Sequence, residues 1–252
     1  MSQKTHYLEL LARSASLLEI APWRDHYRQE MNCQIIHDSV HSRDGWSREY
    51  ALLAGGATIG YGSLAVAGPW TEKPTLYEFY VVPHYRWRLF ELFQILLSAS
   101  GAVAIETQTN GILLPVMAHV FADPMTSESI LFHDRMTTAH ETPAGAVFRR
   151  ARPQDRVDGD WMIEVDGVAA ASGGILFHYN RPYGDIFMQV AESFRGRGLG
   201  AYIVQELKRV CYEGGSVPAA RCNVTNVASR KTLQKAGFVP CGHLVSGSIA
   251  KS

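Results

Sequence analysis

The residues with the clearest chemical potential are 195–200, which read Arg-Gly-Arg-Gly-Leu-Gly. An apolar run at 186–190 precedes them and an amphipathic stretch at 202–210 follows, which predicts a strand, a tight turn and a helix. The first amides of a helix lack internal partners and carry partial positive charge. Glycines let a phosphate approach such a backbone closely. The turn therefore predicts a site for a ligand with a pyrophosphate, and two arginines add positive charge to it.

Three kinds of phosphate-binding turn can be compared with this one. A P-loop requires Lys-Ser or Lys-Thr after its glycines, and neither follows here. A dinucleotide fingerprint matches in form at Gly196, Gly198 and Ala201, but it also needs an acidic residue about 20 positions later. The next apolar run, 217–224, is followed by Thr225 and Asn226. No carboxylate stands at its end. The third pattern, Arg/Gln-x-x-Gly-x-Gly/Ala, fits residues 195–200.

The downstream sequence favours the third pattern. Residues 226–238 begin with Asn226, form a cationic helical stretch and end in Gly237-Phe238, where glycine suits a helix C-terminus. The order of strand, glycine turn, helix, strand, Asn, helix and Gly-Phe resembles the GNAT superfamily of acyl-CoA N-acyltransferases over roughly residues 148–245. The resemblance implies an α/β (α+β) fold with mixed, mostly antiparallel, twisted sheets flanked by helices. It also implies acetyl-CoA as acyl donor and direct attack by the primary amine of a small molecule or by an α-amino group.

The resemblance further implies which residues bind the donor. Backbone groups near Met188 and Val190 would bind the pantetheine and the thioester carbonyl, and the amides of residues 196–201 would bind the pyrophosphate. Asn226 would contact the pantetheine arm or the strand edge, and Ser229 would reach the donor from the first turn of its helix. The full predicted set is Met188, Val190, Arg195, Gly196, Arg197, Gly198, Leu199, Gly200, Ala201, Asn226 and Ser229.

The catalytic groups are less fully specified. Several members of the family place an acidic residue at the start of the strand before the turn, and Asp185 holds that position. The alternative is that Asp185 belongs to the turn after Gly184. Glu164 and His178 are second choices for the base. The family's usual tyrosine acid is replaced by Leu233, so a non-catalytic acyl-CoA-binding regulatory module stays open beside the enzyme.

The first half of the chain repeats this pattern without its glycines. Arg86 and Arg195 are 109 residues apart, and the hairpin turns that precede them are 111 apart. The positions of Gly196, Gly198 and Gly200 are taken by Trp87, Leu89 and Glu91, whose bulk and charge would exclude a pyrophosphate. We therefore predict a degenerate GNAT-like domain at 1–140 and an acyl-CoA-binding domain at 141–252. The alternative is that two unrelated α/β segments look alike.

The C-terminal half lacks material that such a domain usually has. The stretch between a first strand at 146–151 and Trp161 is too short for two helices, and about one strand follows Phe238. Helices are predicted at 7–20 and 23–31 instead. We predict that the C-terminal half completes its sheet with help, and that the N-terminal half supplies the missing wall of the acceptor site. A homodimer is the other source of that wall.

Composition limits the remaining classes. Lysine plus arginine balance aspartate plus glutamate at 24 each, so no bulk attraction to nucleic acid or membrane is expected. The four cysteines are scattered, which suggests no metal site and favours a reducing compartment. No secretory leader or long apolar run is visible in the sequence, so a cytoplasmic location is expected.

Overall fold

The computed structural model describes residues 8–34 and 38–250, and the chain divides into two compact units. The N-terminal unit takes residues 1–127 together with 244–252, and the C-terminal unit takes residues 128–243. The predicted division into domains at 1–140 and 141–252 stays a prediction.

The N-terminal unit is built on a mixed sheet flanked by helices. Its strands are β1 (Leu10–Ala15), β2 (Ser47–Ala54), β3 (Ala57–Ala65), β4 (Thr75–Val81) and β5 (Ala104–Gln108). β1 to β4 are antiparallel neighbours, and β4 pairs in parallel with β5. Its helices are α1 (Leu17–Met31), α2 (Asp38–His41), α3 (Leu89–Ser100) and α4 (Leu114–Phe121).

The predicted helix over 7–20 is wrong at residues 10–15, which form β1, and Tyr7 lies outside the described residues. α1 begins only after Ser16, whose Oγ accepts the amide of Glu19 at 3.2 Å and so caps the helix. α1 ends at Asn32, in the left-handed conformation with φ 45°. Local capping chemistry, rather than the apolar pattern, thus sets both ends of α1.

The C-terminal unit has the same kind of sheet. Its strands are β6 (Ala122–Asp134, of which residues 129–133 pair here), β7 (Ala146–Arg150), β8 (Trp161–Val165), β9 (Val168–Leu176), β10 (Tyr183–Val190) and β11 (Val217–Asn223). Its helices are α5 (Leu199–Glu213) and α6 (Val227–Lys235). Residues 129–133 pair antiparallel with 219–223, so an upstream segment completes this sheet, as predicted.

The last strand, β12 (Phe238–Ile249), contributes to the N-terminal unit in the corresponding way. Its residues 244–248 pair antiparallel with 104–108 of β5. The predicted fold class, α/β with mixed, mostly antiparallel sheet flanked by helices, is confirmed.

The internal repeat is visible in two equivalent contacts from arginine side chains to backbone carbonyls. Arg86 donates Nε–H to the carbonyl of Val81 at 2.8 Å, and Arg195 donates Nε–H to the carbonyl of Val190 at 3.3 Å. Both pairs are five residues apart, and the members of each equivalent pair are 109 residues apart, as the sequence register predicts. The two arginines therefore hold equivalent turns at the ends of equivalent strands.

A row of polar side chains crosses β2, β3 and β4 and is covered by the unit's own helices. Glu49, Ser63 and Glu78 occupy one register row. The imidazole of His41 lies between the two carboxylates, with Nδ1 3.0 Å from Glu49 Oε1 and Nε2 3.2 Å from Glu78 Oε2. Arg24 binds Glu78 through Nε at 3.1 Å and Nη2 at 3.2 Å. This face of the N-terminal sheet is thus filled by buried charges that compensate one another.

Removing one charge of that cluster should destabilise the N-terminal unit. Glu78 is fully buried, and Arg24 and His41 hold its pKa well below the usual value. Glu78→Gln leaves the Arg24 guanidinium without its buried counterion, so we expect a loss of about 3–5 kcal/mol in the free energy of unfolding. Urea denaturation followed by circular dichroism measures it. Glu19→Gln, at the exposed pair with Arg13, is the matched control and should leave the midpoint unchanged. Equal effects of the two substitutions on the free energy of unfolding would contradict a stabilising role for the buried cluster around Glu78.

Candidate active site

β10 and β11 separate partway along their length. They pair in parallel at residues 183–186 and 217–220, ending at Ile186 opposite Ala220. β10 then continues to Val190 and β11 to Asn223, and these two described segments do not pair with each other. The carboxyl ends of the two strands therefore diverge, which opens the sheet where β10 leads into the glycine turn.

The turn itself leaves amides bare. A short 3₁₀ helix at Glu192–Phe194 leads to Gly196 at φ +79° and Gly198 at φ +82°, both in the left-handed region that favours glycine. α5 starts at Leu199, and no side chain caps it. A Cβ on Gly196 or Gly198 would meet nothing within 4 Å, so both glycines face open space. The first-turn N–H groups are thus available to an anion.

A cavity of about 560 Å³ opens at this turn and collects nearly all of the predicted donor-binding residues. Every member of that set lines it except Arg197. The sequence did not single out the other lining residues, which are Gln189, Phe194, Ala228, Thr232 and Lys235.

Arg197 lies elsewhere. Its guanidinium carbon stands 5.0 Å from the ring centroid of Phe194, and the residue lines a separate cavity of about 320 Å³ with Pro143 and Ala144. The structure therefore does not bring Arg197 to the turn cavity, whereas Arg195 lines it.

α6 forms a wall of the cavity. Asn226 stands at the N-cap of α6. Its Oδ1 accepts a hydrogen bond from the amide of Ser229 at 3.0 Å, so this side chain caps the helix. Asn226, Ser229, Thr232 and Lys235 follow one another at a spacing of three residues and all line the cavity. That spacing is the signal by which the sequence could have added Thr232 and Lys235.

Asp185 lies just before the point where the strands diverge. Ile186, Met188 and Val190 belong to or pack on the C-terminal core, so strand alternation places Asp185 on the opposite face of the sheet. Asp185 is 5% exposed, and its Oδ2 lies 3.3 Å from Arg221 Nε. Within the described residues Oδ1 has no hydrogen-bond partner. Burial raises the pKa of Asp185 to about 6, against the opposing effect of Arg221.

Arg221 is the residue that sequence reasoning missed on this face. It is the first residue of β11 beyond the paired segment. Its guanidinium stacks on the ring of Tyr179, 4.7 Å from the centroid, and donates to the Tyr179 hydroxyl. These contacts fix the cation that faces Asp185.

Comparison with known proteins agrees with this geometry. Residues 128–238 match the model of the acetyltransferase (GNAT) family. Residues 128–238 are therefore similar to that family, and for this similarity the segment is called the GNAT domain below. No curated protein matches the chain in sequence.

Solved structures share the fold over nearly the whole chain. An acetyltransferase of the GNAT family from Colwellia psychrerythraea has a TM-score of 0.74 at 15% identity, covering 95% of this chain and 99% of its own. A tandem GNAT protein from the clavulanic acid biosynthesis pathway has a TM-score of 0.63 at 13% identity, covering 97% and 100%. A GCN5-related N-acetyltransferase from Sphaerobacter thermophilus has a TM-score of 0.57 at 14% identity, covering 96% of both chains. The chain thus shares the fold of these three structures over nearly its whole length.

The second choices for the base are held by other contacts. Glu164 of the GNAT domain has Oε2 2.6 Å from Arg149 Nη2, and Arg149 also binds Asp155. The ring of His178 packs 4.4 Å from that of Tyr179. Neither residue lines the turn cavity.

A tyrosine acid is not apparent near the turn. Leu233 is 3% exposed and packs in the core of the GNAT domain. The hydroxyl of Tyr202 lies 3.1 Å from Thr142 Oγ1, and that of Tyr212 donates to Asp134 at 2.9 Å. Among the residues described, no tyrosine lines the turn cavity.

The equivalent turn of the N-terminal unit has a different backbone. A 3₁₀ helix at Pro83–Arg88 runs directly into α3, and Leu89 has φ −58°, where the GNAT domain has left-handed Gly198. Arg88 and Glu91 form an ion pair at 2.6 Å across the start of the helix. This geometry agrees with the predicted loss of phosphate binding, which stays a prediction.

Residues 8–34 and 38–250 are the ranges that the structure describes. They contain no group of three or more His, Cys, Asp or Glu placed to hold a metal ion. They also contain no helix that is long and apolar enough to span a membrane.

Proposed function

We propose that the chain is an N-acetyltransferase that transfers an acetyl group from acetyl-CoA to a primary amine of a small molecule or to an α-amino group. The main support is the first turn of α5, whose amides have no side-chain cap and which follows the left-handed Gly196 and Gly198. This turn lines a cavity that Met188 and Val190 also line. A pyrophosphate fits this cradle because both glycines face open space. The match of residues 128–238 to the acetyltransferase (GNAT) family supports acyl transfer.

Each part of the site has a role in that reaction. The amides of residues 196–201 bind the pyrophosphate, with Arg195 beside them, and the strand end at Met188 and Val190 binds the pantetheine. Holding donor and acceptor together supplies much of the rate. Acetyl-CoA supplies a thioester carbonyl and a thiolate leaving group. The amine nitrogen forms the new C–N bond, the C–S bond breaks, Asp185 accepts the amine proton, and the thiolate takes a proton from solvent.

The alternative function is a non-catalytic acyl-CoA-binding regulatory module. Leu233 favours it, because that position carries no acid and is buried. Both functions require donor binding, and turnover with a panel of amines separates them. The prediction that the N-terminal half, or a second copy of the chain, supplies the missing wall of the acceptor site stays a prediction.

Donor stoichiometry tests the proposal first. Isothermal titration of acetyl-CoA into the wild-type chain should give one site per chain, since of the two equivalent turns the one in the GNAT domain has left-handed glycines and the other does not. NAD is the control ligand and should give no heat of binding, because the strand after the turn ends without the acidic residue that a dinucleotide site needs. Two acetyl-CoA sites would overturn the degenerate-half argument. No binding to the folded chain would overturn the proposed function.

A further inference from the structure

Two charged side chains in contact stand where β10 and β11 diverge, on the face of the sheet opposite the core of the GNAT domain. Asp185 lies on β10 just before the gap, and Arg221 is the first residue of β11 within it. Arg221 Nε lies 3.3 Å from Asp185 Oδ2. The guanidinium also stacks on the ring of Tyr179 and donates through Nη2 to its hydroxyl. These contacts hold the cation in place beside the carboxylate.

This ion pair leaves hydrogen-bonding capacity on both partners. Its one contact, at 3.3 Å, is longer than the about 2.7–2.9 Å that is usual for a charge-assisted hydrogen bond. Asp185 is buried, yet its Oδ1 has no partner among the described residues. Nη1 of Arg221 has no partner among those residues either. A free acceptor and a free donor therefore belong to two side chains that already touch.

Another arginine of the same domain shows a completed pair. Arg149 binds Asp155 through both Nη atoms, with Nη1 2.7 Å from Oδ2 and Nη2 2.9 Å from Oδ1. This bidentate fork is the geometry that suits an arginine whose task is to pair with a carboxylate. Arg221 makes a single contact with Asp185 instead. Neutralising Asp185 therefore does not account for the way in which Arg221 is held.

A ligand with an amine and a carboxylate on neighbouring carbons complements this pair. Its amine would donate to Oδ1 of Asp185, and its carboxylate would accept from Nη1 of Arg221. We propose that the acceptor is an α-amino acid and that Arg221 selects it by binding its carboxylate. This inference rests on the proposed function and names the acceptor class of the same site.

The reaction leaves the acceptor carboxylate unchanged. The nitrogen of the neutral amine forms the amide bond to the acetyl carbon while the C–S bond of acetyl-CoA breaks. Asp185 takes the proton from that nitrogen and later returns it to solvent, and the thiolate takes a proton from solvent. The carboxylate on Arg221 meanwhile orients the amine beside Asp185, and such positioning contributes to the rate. The product is an N-acetyl amino acid.

An exposed carboxylate on the same face favours a competing class of acceptor. Oδ2 of Asp158 lies 3.4 Å from Nε2 of Gln189, and Asp158 is exposed. Gln189 stands four residues beyond Asp185, which is about 13 Å along the strand. Asp158 could therefore bind the far end of a diamine, whereas the charge next to the reacting amine is that of Arg221. A diamine is for this reason the comparison acceptor.

Steady-state acetylation of matched acceptors tests the inference. The acceptors are the twenty common α-amino acids, the decarboxylated amine of each one that reacts, and putrescine as the diamine. The wild type should have a kcat/KM about 10–100-fold higher for an amino acid than for its decarboxylated amine, as a charge-assisted hydrogen bond supplies. Arg221→Gln should remove most of this ratio, and Arg221→Lys, which keeps the charge, should retain part of it. Arg209→Gln, at an exposed cation on α5, is the control and should keep the wild-type ratio.

The ratio of the two kcat/KM values separates selection of the acceptor from support of the base. Loss of the cation beside Asp185 changes the proton affinity of this carboxylate, so it alters the rate with both acceptors by the same factor. Loss of a contact to the acceptor carboxylate lowers kcat/KM for the amino acid alone. An unchanged ratio in Arg221→Gln would show that Arg221 only supports Asp185, and it would overturn the inference.

The wild type alone decides the acceptor class, whether or not the variants fold. Equal kcat/KM for an amino acid and its decarboxylated amine, or a preference for putrescine, would overturn the inference and leave the proposed acetyltransferase intact. Binding of acetyl-CoA without acetylation of any amino acid would also overturn it. Absence of acetyl-CoA binding to the folded chain would overturn the proposed function and this inference together.

Discussion

Gly198→Glu should weaken acetyl-CoA binding at least about 100-fold, because two effects act at one position. The glutamate must adopt φ +82°, which disfavours any residue with a Cβ, so the start of α5 is expected to shift. Its carboxylate would also stand at the bare amides, where it would replace the pyrophosphate as their anion. Isothermal titration with acetyl-CoA gives the affinity, and circular dichroism shows whether the fold persists.

The matched control for this variant is Gly215→Glu. Gly215 follows the end of α5, has φ +75° and, like Gly198, has nothing within 4 Å of its Cβ position. It does not line the turn cavity, so the control carries the same backbone strain and the same added charge away from the site. We expect Gly215→Glu to bind acetyl-CoA as the wild type does. If Gly198→Glu also does so, the turn is not the donor site.

The reverse change in the N-terminal unit tests why that turn differs. Leu89→Gly restores the possibility of a left-handed residue, but the Arg88–Glu91 ion pair and the 3₁₀ helix at Pro83–Arg88 remain. We therefore expect no second acetyl-CoA site in the stoichiometry of this variant. A gain of one site would show that a single side chain blocks binding there.

The order of elements around the turn could be predicted from sequence because each has a local signal. Glycines at 196, 198 and 200 mark a turn, and the stretches before and after it have strand and helix periods. The same signals predicted the hairpins of the first half. They also gave the 109-residue offset between the halves, which the contacts of Arg86 and Arg195 show again. Ten of the predicted donor-binding residues lie together, because they stand at the end of β10, on the turn that begins α5 and at the start of α6.

The features that sequence reasoning missed depend on distant contacts or on side-chain direction. β1 (Leu10–Ala15) has an apolar pattern that fits a helix as well, and pairing with β2 decides its conformation. Arg197 has the right charge and position, but its side chain turns toward Phe194. Arg221 faces Asp185 only because β11 lies beside β10 in the sheet, and the two residues are 36 positions apart in sequence. No local pattern records such neighbours.

The position of Asp185 explains why a carboxylate there can act as a base near neutral pH. Most of the side chain is withdrawn from water, one oxygen faces Arg221, and the other has no partner among the described residues. Loss of hydration favours the neutral acid, and the single cation offsets this only in part, so the pKa is raised to about 6. Such a group is ionised at neutral pH, yet it is basic enough to accept a proton from an attacking amine.

This arrangement also carries a cost in stability. The folded-state pKa of Asp185, about 6, lies above the usual value, so the folded chain binds the proton more tightly than the unfolded chain does. The penalty is therefore absent below about pH 4, grows as the pH rises through the folded-state pKa, and is complete above it. Asp185→Asn removes the penalty, and we expect a higher melting temperature than the wild type at pH 8 and no gain at pH 4.

Asp185→Asn should lower kcat for acetyl transfer by about 10²–10⁴-fold, because an amide cannot accept the amine proton. In the wild type, kcat/KM should fall as the pH drops through about 6, and this limb should vanish from the residual activity of the variant. Asp185 does not line the turn cavity, so the affinity for acetyl-CoA should be unchanged. Glu164→Gln, which alters a carboxylate already paired with Arg149, is the control and should keep full activity. If Asp185→Asn keeps kcat and the acid limb while gaining stability at pH 8, this carboxylate is structural and the base lies elsewhere.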